Sequence, residues 1–117
     1  MSDSPSSPAL SAIVESVDGW LAQNFHKRFD LAALARHVGY EKCYISHVYR
    51  RQGGTTITLR IRQLRITAAA KMLDEGSSVA DAARAVGYAS LSHFTKAFVA
   101  EKGMRPTAWM HTPPSLR

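Results

Sequence analysis

The chain has 117 residues, 45% apolar and 21% charged, proportions of an ordinary globular protein at a length that holds one domain or two small lobes. Cys43 is the only cysteine, which excludes an internal disulfide, a multi-cysteine zinc site and a CxxC redox pair. A net charge of +6 and an isoelectric point near 9.9 favour an anionic partner, nucleic acid first.

No apolar run approaches the length of a membrane span, and MSDSPSSPAL lacks the basic and apolar regions of a signal peptide, so a cytoplasmic chain is expected. The charge is uneven. Residues 1–25 sum to −3, residues 26–65 to +7 and residues 66–117 to +2.

Residues 1–8, with four Ser and two Pro, read as a disordered leader. Leu10, Ile13, Val14, Val17, Leu21 and Phe25 then recur at helical spacing. Asp30 is placed to cap a short helix with Leu31, Leu34, Ala35 and Val38 inward, and Gly39 follows where a left-handed residue is expected. A third helix fits Lys42 to Gln52, with Ile45, Val48 and Tyr49 inward, ended by Gly53-Gly54. Ile57 to Leu73 has no Gly or Pro. Ile57, Ile61, Leu64, Ala68 and Met72 make one stripe, Leu59, Ile66 and Leu73 a second, so this helix is expected to pack on two sides. After Gly76, Ser78 and Asp81 have capping-box spacing and open a helix running to Val86, stopped by Gly87. Ser90 to Lys102 makes a sixth helix with Phe94, Ala97 and Phe98 inward, closed by Gly103. Pro106 opens a last one through Met110, and the tail HTPPSLR is expected to fray. The fold class predicted is all-α, about seven helices, with no convincing strand.

LAALARHVGY at 31–40 and VADAARAVGY at 79–88 share six of ten residues at an offset of 48. One residue inserted in the second turn shifts the offset to 49, which pairs Ile45 with Phe94, Tyr49 with Phe98 and Gly54 with Gly103. Each copy is a short helix, a Gly-containing turn and a longer helix, the helix-turn-helix plan. Ala32 and Ala35 are small enough for close helix approach, and the longer helix keeps an outer face free to enter a major groove.

LAALARHVGYEKCYISHVYRRQGG, RIRQLRITAAAKML and SVADAARAVGYASLSHFTKAFVAEKGMRPTAW together resemble the DNA-binding domain of the AraC/XylS family of bacterial transcription regulators, over roughly residues 9 to 110. The resemblance implies two helix-turn-helix lobes joined by a rigid helix, each recognition helix in one major groove on the same side of the duplex. The divisions expected are 9–54 for the first lobe, 55–75 for the linker helix, 76–110 for the second lobe and 111–117 for the frayed tail. Seventeen residues from Ile57 to Leu73 make about 26 Å of helix, against about 34 Å between successive major grooves.

Matched to the family's positions, Cys43, Ser46 and His47 fall where base edges are read, with Leu91, Ser92, Thr95 and Lys96 as their counterparts on the later helix. His and Lys can donate to guanine, Ser can donate or accept, and Leu can meet a thymine methyl. Arg36, Lys42, Arg50, Arg51, Arg84 and Ser90 are assigned to phosphates, which fix register without reading sequence. Val99 and Ala100 stand where family members often carry basic residues, Arg60 where an aromatic is usual and Met110 where a closing Arg is frequent. The second lobe is therefore expected to be the weaker one.

Cys43 beside Lys42 and His47 could act as a thiolate sensor, but without a resolving cysteine a small contact on the reading surface is favoured. The five histidines lack metal-ligand spacing, and no nucleophile elbow or Gly-rich phosphate loop is present, so no metal, no cofactor and no enzymatic activity are expected.

About 30 residues precede the first helix-turn-helix, too few for a small-molecule effector domain, so the resemblance is to small stand-alone regulators that bind asymmetric sites as monomers. Double-stranded DNA is the expected partner. RNA polymerase is a second, through the acidic outer face of residues 10–25. The alternative from another class is a protein-interaction module, an adaptor or anti-regulator whose basic face meets an acidic protein. Single-stranded RNA is disfavoured by the lack of an aromatic stacking platform.

Overall fold

The computed structural model describes residues 8–117. The order is α1 (Pro8–Asn24), α2 (Leu31–Val38), α3 (Lys42–Gly53), α4 (Ile57–Asp74), α5 (Val79–Ala85), α6 (Leu91–Lys102) and α7 (Pro106–His111), then a 3-10 turn over Pro114–Leu116. No strand occurs among the described residues. The protein is all-α, and each helix lies within two residues of where periodicity and caps put it. The leader expected over residues 1–8 lies outside the described residues except for Pro8, which begins α1.

The chain forms two compact units that part between Ile61 and Arg62, within α4. In the first, α1 packs on α2 and α3. Ile13, Val17, Leu21, Leu34, Ile45, Val48, Tyr49, Ile57 and Ile61 are its buried apolar residues. Asp30 caps α2 by accepting the Ala33 N–H at 3.2 Å. Gly39 closes it at φ 91°, with its N–H on Ala35 O, a left-handed conformation costly for any residue with a Cβ. Of the apolar stripe on α2 only Leu34 is fully enclosed. Ala32 is exposed, because two residues along a helix is about 200° of rotation and carries it to the side opposite Leu34.

The second unit is built around Phe94 and Phe98 of α6, with Ile66, Ala69, Ala70 and Leu73 of α4, Ala82 and Ala83 of α5, and Val86. Phe94 and Phe98 pack at 5.8 Å between ring centroids, and Phe98 meets Trp109 of α7 edge-on at 5.6 Å. Ser78 and Ser90 cap α5 and α6 through the N–H groups of Asp81 and His93. The capping box is only half made: Asp81 is one methylene shorter than Glu, and its carboxylate pairs forward with Arg84 at 3.3 Å.

Two expectations are corrected. The continuous stripe on the linker helix fails at its centre. Ile57 and Ile61 are buried with the first unit, but the second unit buries Ile66, Ala69, Ala70 and Leu73, while Leu64, Ala68 and Met72 are only half-buried. Each half of α4 serves a different core, so its apolar face shifts around the axis, and the helix packs on two sides as its two stripes predict. The tail at 111–117, expected to fray, is held by side-chain chemistry. The Arg117 guanidinium lies 4.0 Å over the Trp109 ring, pairs with Asp74 at 2.6 Å and donates to the carbonyls of Thr112 and Trp109. Trp109 Nε1 donates to the same Asp74.

Candidate nucleic-acid interface

An α-helix turns about 100° per residue. On α3 this sets Cys43, Ser46, His47 and Arg50 along one stripe, on the side opposite buried Ile45, Val48 and Tyr49. Cys43, His47 and Arg50 are exposed and Ser46 is half-buried. Lys42 lies on one flank of the stripe, Arg51 and Tyr44 on the other, all exposed. Arg50 is two turns from the start of the helix. The base-reading residues of such helices are the N-terminal ones, and Arg50 lies beyond them.

The same geometry recurs on α6. Ser92, Thr95, Lys96 and Val99 form the stripe, with Leu91 on one flank and Ala100 on the other. All are exposed except half-buried Thr95. The structure therefore brings the base-reading candidates together as one face on each recognition helix, except Leu91, which lies on the flank of its stripe. The charge differs between the two: where α3 carries Lys42, Arg50 and Arg51, α6 carries Leu91, Val99 and Ala100.

The other phosphate candidates are less uniform. Arg36 is exposed in the last turn of α2. Arg84 is exposed but paired with Asp81. Ser90 has its oxygen occupied by the His93 N–H at 3.3 Å, which leaves its hydroxyl proton as the group able to reach a phosphate.

Several features of the site are silent in the sequence pattern. Glu41 caps α3: Cys43 N–H donates to its Oε2 at 3.0 Å and Tyr44 N–H to its Oε1 at 3.2 Å. The Cys43 N–H foremost holds the Glu41 carboxyl below its ordinary range. Glu is outside the usual capping set, so only its place directly before the helix pointed to it. The orientation of α3 is fixed on its inner side by the Tyr49 hydroxyl, which donates to Asp18 Oδ1 at 2.6 Å and accepts from Arg60 Nε at 3.0 Å. Burial pushes the Tyr49 hydroxyl up in pKa, and its hydrogen bond raises Arg60. This assigns a task to Arg60, which had stood out as a departure at an aromatic position. Asp18 is thereby drawn from the acidic face of α1 into the support of α3.

Tyr40 and Tyr44 are exposed at 47% and 43%, an aromatic pair the sequence reading overlooked. Their rings meet at 5.4 Å with a 39° tilt. In the second unit Arg62 pairs with Glu101 at 2.6 Å, and Arg65 lies 5.3 Å over the Tyr88 ring.

Known proteins agree with this geometry. A family model described as a helix-turn-helix domain matches residues 34–112. The HTH-type transcriptional activator AarP of Providencia stuartii is 32% identical over 100 residues, which span 85% of this chain and 74% of AarP. A probable AraC family transcriptional regulator from Rhodopseudomonas palustris superposes with a TM-score of 0.78 at 20% identity, covering 85% of this chain and 94% of that one. The DNA-binding domain of AdpA, a global transcriptional factor solved in complex with a target DNA, superposes with a TM-score of 0.76 at 21% identity over 84% of this chain and 89% of that one. Two helix-turn-helix pairs in the family's order, each with an outward stripe on its second helix, place the chain in the AraC/XylS family of helix-turn-helix DNA-binding transcription regulators.

Proposed function

We propose that the chain is a cytoplasmic regulator that binds double-stranded DNA sequence-specifically as a monomer, with α3 and α6 reading two successive major grooves. The observation that carries this reading is the duplicated outer stripe: Cys43, Ser46 and His47 on one recognition helix, and Ser92, Thr95 and Lys96 at the same register on the other. The continuous helix α4, 18 residues or about 27 Å long, supports a two-groove arrangement. Contact with RNA polymerase through α1 would fall to Glu15, because Asp18, although also exposed, already accepts the Tyr49 hydroxyl.

Base readers and phosphate binders differ in what their loss does. His47→Ala is expected to relax sequence preference within one half-site by about 1–3 kcal/mol, the value of a good base contact. Arg50→Ala is expected to weaken binding to every duplex alike and to lower the log–log salt slope by about one. Quantitative titration of both variants on a selected duplex and its scrambled version checks this. Equal losses on both duplexes for His47→Ala would remove it from the readers.

A further inference from the structure

A cleft of about 600 Å³ opens in the first unit where the segment after α1, the start of α2 and the start of α3 meet, and Arg28 and Lys42 both line it. They are exposed cations that lie far apart in sequence and are brought together by the turn between α2 and α3. The only acid on the cleft's wall is Asp30, which already accepts the Ala33 N–H, and the lining keeps one net positive charge. Ala32 presents only a methyl there, which leaves the space open. The segment carrying Arg28 is anchored: Phe29 packs edge-on against Trp20 at 6.4 Å, and Lys27 N–H bonds Asn24 O at 3.1 Å.

A phosphate beside the start of α3 would ordinarily be taken by the helix's own N–H groups. Here Glu41 holds two of them, those of Cys43 and Tyr44, with a carboxylate that repels an anion. A duplex read by Cys43, Ser46 and His47 must pass its backbone along the flank occupied by Lys42. We propose that Arg28 and Lys42 together hold one phosphate of the DNA backbone in this cleft, making Arg28 a DNA-binding residue at the edge of the first half-site. In the second unit the corresponding positions are Gly76 and Leu91, so this clamp belongs to the first lobe alone. The inference rests on the duplex binding proposed above.

The test is salt-dependent titration of Arg28→Ala, Lys42→Ala, their double variant, Arg28→Lys and, as a control for net charge, Lys71→Ala, on matched and scrambled duplexes, with melting curves to verify folding. Arg28→Ala should bind both duplexes about five- to ten-fold more weakly at 0.1 M salt and lose about one from the salt slope. Arg28→Lys should recover most of that, and Lys71→Ala should stay within two-fold of the unmodified chain. The double variant should lose less than the product of the single losses, since both cations act on one phosphate. Wild-type affinity in Arg28→Ala, an equal loss in Lys71→Ala, or fully multiplicative losses would each overturn the clamp and leave duplex binding standing. Failure of the unmodified chain to bind any duplex would overturn both.

Discussion

Phe98→Ala is expected to destabilise the second unit by about 3–5 kcal/mol, the cost of emptying a large aromatic site in a packed core. Phe98 is fully buried and joins Phe94 to Trp109, so its removal separates α6 from α7 and leaves a cavity that aromatic neighbours cannot collapse to fill. A unit of this size has only about 3–8 kcal/mol to lose, at roughly 0.05–0.15 kcal/mol per residue, so the change should remove a large part of its stability and lower its melting temperature by more than about 10 °C. Val99→Ala, one residue along at an exposed position, should stay within about 0.5 kcal/mol. Trp109 fluorescence in a Trp20→Phe background reports the second unit selectively during thermal melting. A melting transition unchanged in Phe98→Ala would contradict the core described for α6 and α7.

The second large effect concerns affinity. Changing Lys42, Arg50 and Arg51 together to Ala should weaken binding to all duplexes by about two to three orders of magnitude at 0.1 M salt, because three phosphate contacts account for about 2.7 units of log–log slope. Lys96→Ala removes one charge and should cost about ten-fold or less on scrambled DNA, with a further loss confined to a site in which Lys96 reads a base. The comparison is direct because the three cations have Leu91, Val99 and Ala100 as their counterparts on α6. Titrations over a range of salt concentrations measure both quantities. If Lys96→Ala abolished binding while the triple variant bound normally, α6 would be the principal reader and the ranking of the lobes would reverse.

The helices and the outward faces of α3 and α6 were legible in the sequence because they depend on local signals. Apolar spacing, Asp30, Ser78 and Ser90 as caps, and glycines at Gly39 and Gly87, whose φ angles are 91° and 102°, all act within a turn or two of chain. The internal repeat then aligned the outer stripes of α3 and α6. What escaped depends on pairings distant in sequence. Tyr49 reads as an ordinary core aromatic until Asp18 and Arg60 are placed at its hydroxyl. The tail reads as polar and Pro-rich until Arg117 stacks on Trp109 and meets Asp74. The two-sided packing of α4 was legible in its two apolar stripes, but the change of core between Ile61 and Ile66 was not, because periodicity does not say which unit each half of the helix serves. Arg28 looked like one surface charge among many, since nothing in the linear sequence sets it beside Lys42.

Hydroxyl-radical footprinting of the unmodified chain on a duplex selected from a random pool tests the central claim most directly. Two recognition helices in successive major grooves should protect two tracts centred roughly 10 base pairs apart on one face of the DNA, with His47→Ala weakening one tract and Lys96→Ala the other. Protection of a single tract, or a protein that selects no duplex and binds with an affinity indifferent to salt, would contradict it.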